Sequence, residues 1–108
     1  MTEYKPRGMP ARFMEGAPDV VKRNVIDILA IVPAAPLDYD IVFRQHDTPR
    51  GGAAYGLDFG AYGEQGCHFY LTNHEMRAYR ERNRRKRVAW RDLPEATRKA
   101  IVAYLESE

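Results

Sequence analysis

The sequence TNHEMRAYRERNRRKRVAWR, residues 72–91, is the stretch around which the rest of the chain is arranged. It holds eight of the seventeen Lys and Arg residues and only two acidic residues, which gives it a net charge of +6. Residues 1–71 carry seven basic and nine acidic groups, and residues 92–108 carry two and four, so each flank has a net charge of −2. The formal net charge of +2 therefore hides one concentrated positive segment.

This basic stretch predicts a helix. Thr72 and Glu75 have the spacing of a capping box, in which each residue caps a backbone N–H of the other. Met76 and Tyr79 then give the first two turns an apolar side, but residues 80–87 contain no apolar side chain. We expect the second half of the helix to project into solvent, because nothing in it can cover a hydrophobic surface.

A second helix is predicted immediately after the basic stretch. Asp92 and Glu95 repeat the capping pattern on either side of Pro94, and the residues that follow have an apolar stripe at helical spacing. We expect this helix to span residues 93–106. Trp90 lies in the connector between the two helices and is expected to anchor it to the core.

A third helix is predicted near the N-terminus. Pro18 and Asp19 suit a first helical turn, and Pro33 cannot donate a hydrogen bond to a continuing helix. Between them, five apolar residues recur at helical spacing. They are Val21, Val25, Ile28, Leu29 and Val32. This pattern predicts one helix that continues to the residue before Pro33.

Three segments between these helices have the apolar and polar alternation of strands. They are residues 39–44, 53–59 and 67–71. Their connections are of hairpin length, which suits antiparallel pairing. The sequence therefore predicts an α+β fold, in which a three-stranded antiparallel meander packs against an N-terminal helix and two C-terminal helices. Residues 1–16 are expected to form an arm, and residues 17–108 a single domain.

The composition indicates a soluble globular protein: of 108 residues, 44% are hydrophobic and 30% are charged. The longest apolar run, residues 28–32, is far shorter than the roughly 20 residues that span a bilayer. Because the N-terminus also lacks the apolar stretch of a signal peptide, we expect a cytoplasmic protein that does not engage a membrane. The single Cys67 excludes an internal disulfide.

The basic residues of this stretch are the strongest candidates for function. Four arginines recur at positions i, i+3, i+7 and i+10 and so share one face of the predicted helix. A nucleic-acid backbone would relieve their mutual repulsion and release its own counterions, and two aromatic rings near the helix ends can stack on exposed bases. Arg77, Arg80, Arg84 and Arg87 form the shared face, Arg82, Arg85, Lys86 and Arg91 widen the positive surface, and Tyr79 and Trp90 supply the rings.

Other interpretations of the same residues are open. The charged face can simply be a solvated helix surface that keeps the protein soluble. The two C-terminal helices invite comparison with a helix-turn-helix, but the basic residues of that motif lie on the second helix of the pair. A small metal-dependent enzyme would need imidazole, carboxylate and thiolate ligands. Such ligands are available at His46, Asp47, Cys67, His68, His74 and Glu75. Their spacing matches no ligand pattern, so we expect no cofactor, no metal and no catalytic residue.

In size, single-domain build and arginine content, the chain resembles the accessory proteins of bacteriophages and other mobile elements, including small anti-CRISPR inhibitors. The resemblance lies in general character and assigns no residue. It implies a decoy mechanism, in which a charged surface meets the nucleic-acid channel or a protein face of a nucleoprotein complex. We therefore expect a non-enzymatic binding module that engages nucleic acid or such a complex through residues 77–91. The alternatives are an inhibitor that acts by protein–protein contact and a small metal-dependent enzyme that uses the histidines, and a homodimer is compatible with each of these.

Overall fold

The computed structural model describes residues 8–32, 38–44, 54–69 and 72–107. Short 3-10 turns lie at Ala11–Phe13, Arg84–Lys86 and Trp90–Asp92. In chain order the elements are α1 (Asp19–Asn24), β1 (Val25–Val32), β2 (Asp38–Arg44), β3 (Ala54–Gly60), β4 (Gln65–Phe69), α2 (Asn73–Arg82) and α3 (Glu95–Glu106).

The strands form one antiparallel sheet in the order β1-β2-β3-β4. An α+β fold with an antiparallel sheet and three helices is confirmed. The predicted number of strands is wrong, since the sheet has four rather than three. β2 and β3 begin and end within one residue of the predicted segments. β4 begins two residues earlier than predicted, and residues 70 and 71 lie outside the described residues.

The additional strand replaces most of the predicted N-terminal helix. α1 has six residues and ends at Asn24, whose side-chain Nδ2 donates to the Val20 carbonyl oxygen at 2.7 Å. Residues 25–32 then enter the sheet directly, and five of these eight residues are β-branched, which favours a strand. The apolar spacing resembles that of a helix because β1 is buried on both faces: Val25 packs on one side and Leu29 on the other.

One face of the sheet carries the larger core, on which α1, α3 and the N-terminal segment pack. The ring of Phe43 lies 5.3 Å from that of Tyr55 and 5.2 Å from that of Tyr104, measured between centroids. The predicted arm contributes Met9 and Met14 to the same core. This face is therefore held mainly by apolar and aromatic contacts, and we call it the apolar face.

α3 is the longest of the described helices, with 12 residues. Its Thr97 and Ile101 side chains are completely buried, and the Thr97 hydroxyl donates to the Gly60 carbonyl oxygen at 2.8 Å. α3 begins two residues later than predicted and ends where predicted. Across the described parts of the chain, no helix has the length and hydropathy that crossing a bilayer requires.

The opposite face of the sheet is covered by α2 and holds a smaller core. Its buried members are Ile26, Leu29, Val42, Ala54 and Met76. Phe69 and Tyr79 pack against them, with ring centroids 5.5 Å apart. Charged side chains also lie on this face, which we call the charged face. We call residues 72–91 the basic segment.

Candidate nucleic-acid interface

The capping box that begins α2 is confirmed. The Thr72 hydroxyl accepts a hydrogen bond from the Glu75 N–H at 3.1 Å, and Glu75 Oε1 accepts one from the Thr72 N–H at 2.9 Å. Hydrogen bonds from the Thr72 backbone and side chain lower the pKa of the Glu75 carboxyl below its usual value. Local chemistry alone therefore fixes where the helix begins.

The helix ends earlier than the sequence predicts. Its last residue is Arg82, and the Asn83 side-chain Nδ2 donates to the Tyr79 carbonyl oxygen at 2.9 Å. A 3-10 turn at Arg84–Lys86 follows, and Arg87 is extended. An Asn side chain that bonds to the backbone of the last turn offers that turn an alternative to continued helix, which explains the early end.

The inner side of the basic segment faces the sheet along its whole length. Met76, Arg80 and Asn83 are buried, with exposed fractions of 1%, 8% and 8%, and Arg87 is half-buried. These positions continue one helical stripe, although only the first of them is apolar. The expectation that the second half projects into solvent is therefore wrong for Arg80, Asn83 and Arg87.

Both of these arginines bind one buried carboxylate, Asp27, whose side chain is 0% exposed. Arg80 Nε donates to Asp27 Oδ2 at 2.7 Å, and Arg80 Nη2 donates to the Ile26 carbonyl oxygen at 3.0 Å. Arg87 makes a bidentate contact, with Nε at 2.7 Å from Oδ1 and Nη2 at 3.1 Å from Oδ2. We call this cluster the Asp27 triad. With two cations and one anion, the triad has a formal net charge of +1.

A bulge in β1 places Asp27 on the charged face. Val25 pairs with Phe43 and Asp27 pairs with the adjacent Val42, so Ile26 is an extra residue in the ladder. Because of this shift, Ile26 and Asp27 both lie on the side covered by α2. A β-bulge that redirects a side chain in this way is a common device near functional positions.

The end of the basic segment covers the outer edge of β1. The Val88 N–H donates to the Ile28 carbonyl oxygen at 2.9 Å, and Arg87 forms an isolated antiparallel bridge with Leu29. An open edge strand would present unpaired N–H and C=O groups to other chains. The basic segment thus fills part of an edge that would otherwise be open.

Six basic side chains of the segment remain exposed, and we call them the cationic ridge. They are Arg77, Arg82, Arg84, Arg85, Lys86 and Arg91. Arg84 lies 3.6 Å from Glu81 and Arg91 lies 3.0 Å from Glu15, but all four of these side chains are more than 60% exposed. Such pairs contribute little to stability and compete poorly with a polyanion. The other four cations form no salt bridge with the residues that the structure describes.

The structure places both candidate stacking rings largely inside the protein. Trp90 is 4% exposed and belongs to the core of the apolar face. Tyr79 is half-buried, its hydroxyl donates to Asp40, and the Arg82 guanidinium lies 5.9 Å from its ring centroid. Neither ring is free to stack on a base in this conformation.

Two carboxyl groups lie next to each other on the charged face. Asp40 and Asp58 are directly opposite on β2 and β3, and the Tyr79 hydroxyl donates to Asp40 Oδ2. Burial, together with the hydrogen bond and the charge of Asp40, raises the pKa of Asp58 to about 7. Burial and the same carboxylate raise the pKa of the Tyr79 hydroxyl above its usual range. Asp58 thus titrates near neutral pH.

Six residues were considered as metal ligands. His46 and Asp47 lie outside the described residues, and Cys67 and His68 lie in β4. His74 is exposed in the first turn of α2. Within the described ranges, no group of three or more His, Cys, Asp and Glu side chains could hold a metal ion.

Asp27 is the residue that the sequence-based argument missed. It is the one charged residue in VIDILAIV, residues 25–32, which is otherwise apolar. A carboxylate in such a run must be neutralised or paired, because burial of a lone charge is very costly. That signal predicts an internal cation, and Arg80 continues the inward stripe that begins at Met76.

Comparison of the chain with protein-family models, curated proteins and solved structures finds no match.

Proposed function

We propose that this protein is a non-enzymatic module that binds nucleic acid through the phosphate backbone, using the cationic ridge. The observation that carries the proposal is the division of eight basic residues into two sets. Two are bound to Asp27 inside the protein, and six are exposed on one short segment whose inner side is fixed to the sheet.

The exposed charge of this segment is large for its length. Six cations stand against Glu75 and Glu81, so the surface of residues 72–91 has a net charge of +4. Like charges held this close repel one another, and a polyanion removes that repulsion. A nucleic acid gains further from the release of its condensed counterions.

The chemistry of the ridge favours phosphates over bases as its target. Five of its six side chains are arginines, whose planar forks make bidentate contacts with phosphate oxygens. Base stacking, the usual attraction for single strands, needs exposed rings. Trp90 and Tyr79 are held within the protein by their own contacts. We therefore expect duplex to bind more tightly than single strands, with little sequence preference.

Fluorescence anisotropy with a labelled duplex of about 20 base pairs tests the proposal. With four to six phosphate contacts, the logarithm of the association constant should fall with the logarithm of salt with a slope of about −4 to −5. The variant Arg84→Glu/Arg85→Glu should bind at least roughly 30-fold more weakly at 0.1 M salt, with a shallower slope.

The matched control is Lys22→Glu/Arg23→Glu. It makes the same change in net charge at two exposed, adjacent basic residues of α1, on the apolar face. It should bind duplex within about threefold of the natural protein, because these residues belong to α1 and are not part of the ridge. Equal losses of duplex affinity in the two variants would show that binding depends on net charge and not on the ridge, which would contradict the proposal. No binding to duplex or to single strands, combined with capture of an acidic protein, would favour the protein–protein alternative.

A further inference from the structure

We infer that Asp27 is a positioning residue for the cationic ridge, an inference that rests on the proposed function of that surface. By holding Arg80 and Arg87 from one point, Asp27 fixes the side of the basic segment that faces the sheet. The cations on the other sides are then presented outward in one arrangement.

The contacts of the triad constrain two successive elements. Arg80 lies in α2, and its bond to Asp27 sets the rotation of that helix about its axis. Arg87 lies beyond the 3-10 turn, and its bidentate contact holds the following backbone beside β1. The Val88 N–H that bonds to Ile28 reports directly on that second contact. All the ridge residues except Arg91 lie between the start of α2 and Val88.

A simpler account gives Asp27 only the task of neutralising buried charge. In that account, any change that avoids an unpaired ion leaves the ridge unaffected. The positioning account differs because it depends on the geometry of the fork: a bidentate guanidinium fixes orientation, whereas an ammonium acts as a point charge. A substitution that keeps the charge and removes the fork therefore separates the two accounts.

Arg87→Lys is that substitution. Its matched control is Arg23→Lys, at an exposed position of α1. Amide hydrogen exchange at Val88 should accelerate at least roughly 10-fold in Arg87→Lys, while the amides that join β1 to β2 keep their protection. Affinity for the duplex should fall by about three- to fivefold although the net charge is the same. The control should leave both quantities unchanged. Unchanged exchange at Val88 and unchanged affinity in Arg87→Lys would overturn the inference.

If Arg87→Lys does not fold, Asp27→Leu/Arg80→Met/Arg87→Met takes its place, because apolar replacement of a buried ion cluster commonly preserves stability. Its reference is Lys99→Gln, at an exposed position of α3, because this variant also lowers the net charge by one. Faster Val88 exchange and weaker binding than the reference would support positioning, and equality in both would refute it. If the natural protein binds no duplex, the proposed function fails, and the exchange measurement alone then decides whether Asp27 orients the segment.

Discussion

The two faces of the sheet are held together in different ways. On the apolar face, α1, α3 and the N-terminal segment pack through aliphatic and aromatic side chains, among them Phe43. On the charged face, α2 contributes one fully buried apolar residue, Met76, and then relies on the Asp27 triad. The first face is held mainly by burial of apolar area, while the second also needs charged partners in particular places.

This difference has a physical consequence for specificity. Apolar contacts have little directionality, so a core of the right volume and pattern tolerates many substitutions. A buried carboxylate between two guanidiniums is costly to desolvate and is satisfied in few arrangements. The charged face therefore gains orientation rather than stability, which suits the binding surface that we propose for it.

Of the changes that test the difference between the two faces, Asp27→Asn should have the largest effect on stability. The substitution keeps the volume but removes the buried negative charge that both Arg80 and Arg87 contact, so it should lower the free energy of unfolding by about 3–5 kcal/mol. Urea denaturation at pH 7 measures this value. Asp19→Asn, at an exposed position in the first turn of α1, should cost under about 1 kcal/mol. If Asp27→Asn also cost under about 1 kcal/mol, the account of the charged face would be contradicted.

The next effect concerns close packing on the charged face. A Cβ at Gly56 would overlap the Phe69 ring, so the ring must move away in Gly56→Ala. Phe69 also packs on Tyr79 of α2, and we expect a loss of about 1–3 kcal/mol from this overpacking. The double variant Gly56→Ala/Phe69→Leu should recover part of the loss in thermal unfolding. Full stability in Gly56→Ala alone would show that the ring has room to move.

A smaller effect depends on pH. Asp58 has a pKa of about 7 in the folded protein against an ordinary value of 3.8, so the folded state holds an extra proton between these pH values. Stability contributed by protonated Asp58 is complete below pH 4, declines as the pH rises to 7, and stays lost above that. Asp58→Asn should remove this decline and stabilise the protein at pH 8 by about 1 kcal/mol, allowing for solvent screening at this half-buried site. Denaturation midpoints at pH 4.5, 6 and 8 provide the test. The same dependence of the midpoint on pH in the natural protein and in Asp58→Asn would contradict the prediction.

The smallest expected effect is at the helix start. Thr72→Ala removes the hydroxyl that accepts from the Glu75 N–H and should cost about 0.5–1 kcal/mol. The loss should appear mainly as faster amide exchange in the first turn of α2. Thr72→Ser keeps the hydroxyl and should behave like the natural protein. Equal behaviour of the two variants would mean that the capping box does not stabilise the helix.

The same contrast explains how much of the fold was predictable from sequence. The capping box at Thr72, the apolar stripe of α3 and the alternation in β2 and β3 are local patterns. The capping box indicated where α2 begins but not where it ends, and the other patterns indicated their elements with bounds correct to within about two residues. β1 was misread because a strand buried on both faces has no alternation, and its apolar residues also satisfy helical spacing.

The candidate site was only partly predictable for a different reason. The charge of residues 72–91 is visible in the sequence, but its division into inward and outward cations depends on contacts between residues more than fifty positions apart. Arg80 and Arg87 look like Arg77 and Arg84 until Asp27 is placed opposite them by the bulge in β1. Likewise, the raised pKa of Asp58 follows from strand register, which brings Asp40 beside it.

The division of the basic side chains into inward and outward sets is tested most directly by NMR of the arginine side chains. The experiment follows each Nε–H signal as duplex is added. Arg80 and Arg87 should show slowly exchanging signals in the free protein that do not shift. The five arginines of the cationic ridge should shift together as duplex is added, and the shifts should disappear at high salt. Shifts at Arg80 or Arg87 as large as those of the ridge, or a ridge that does not respond, would contradict the account.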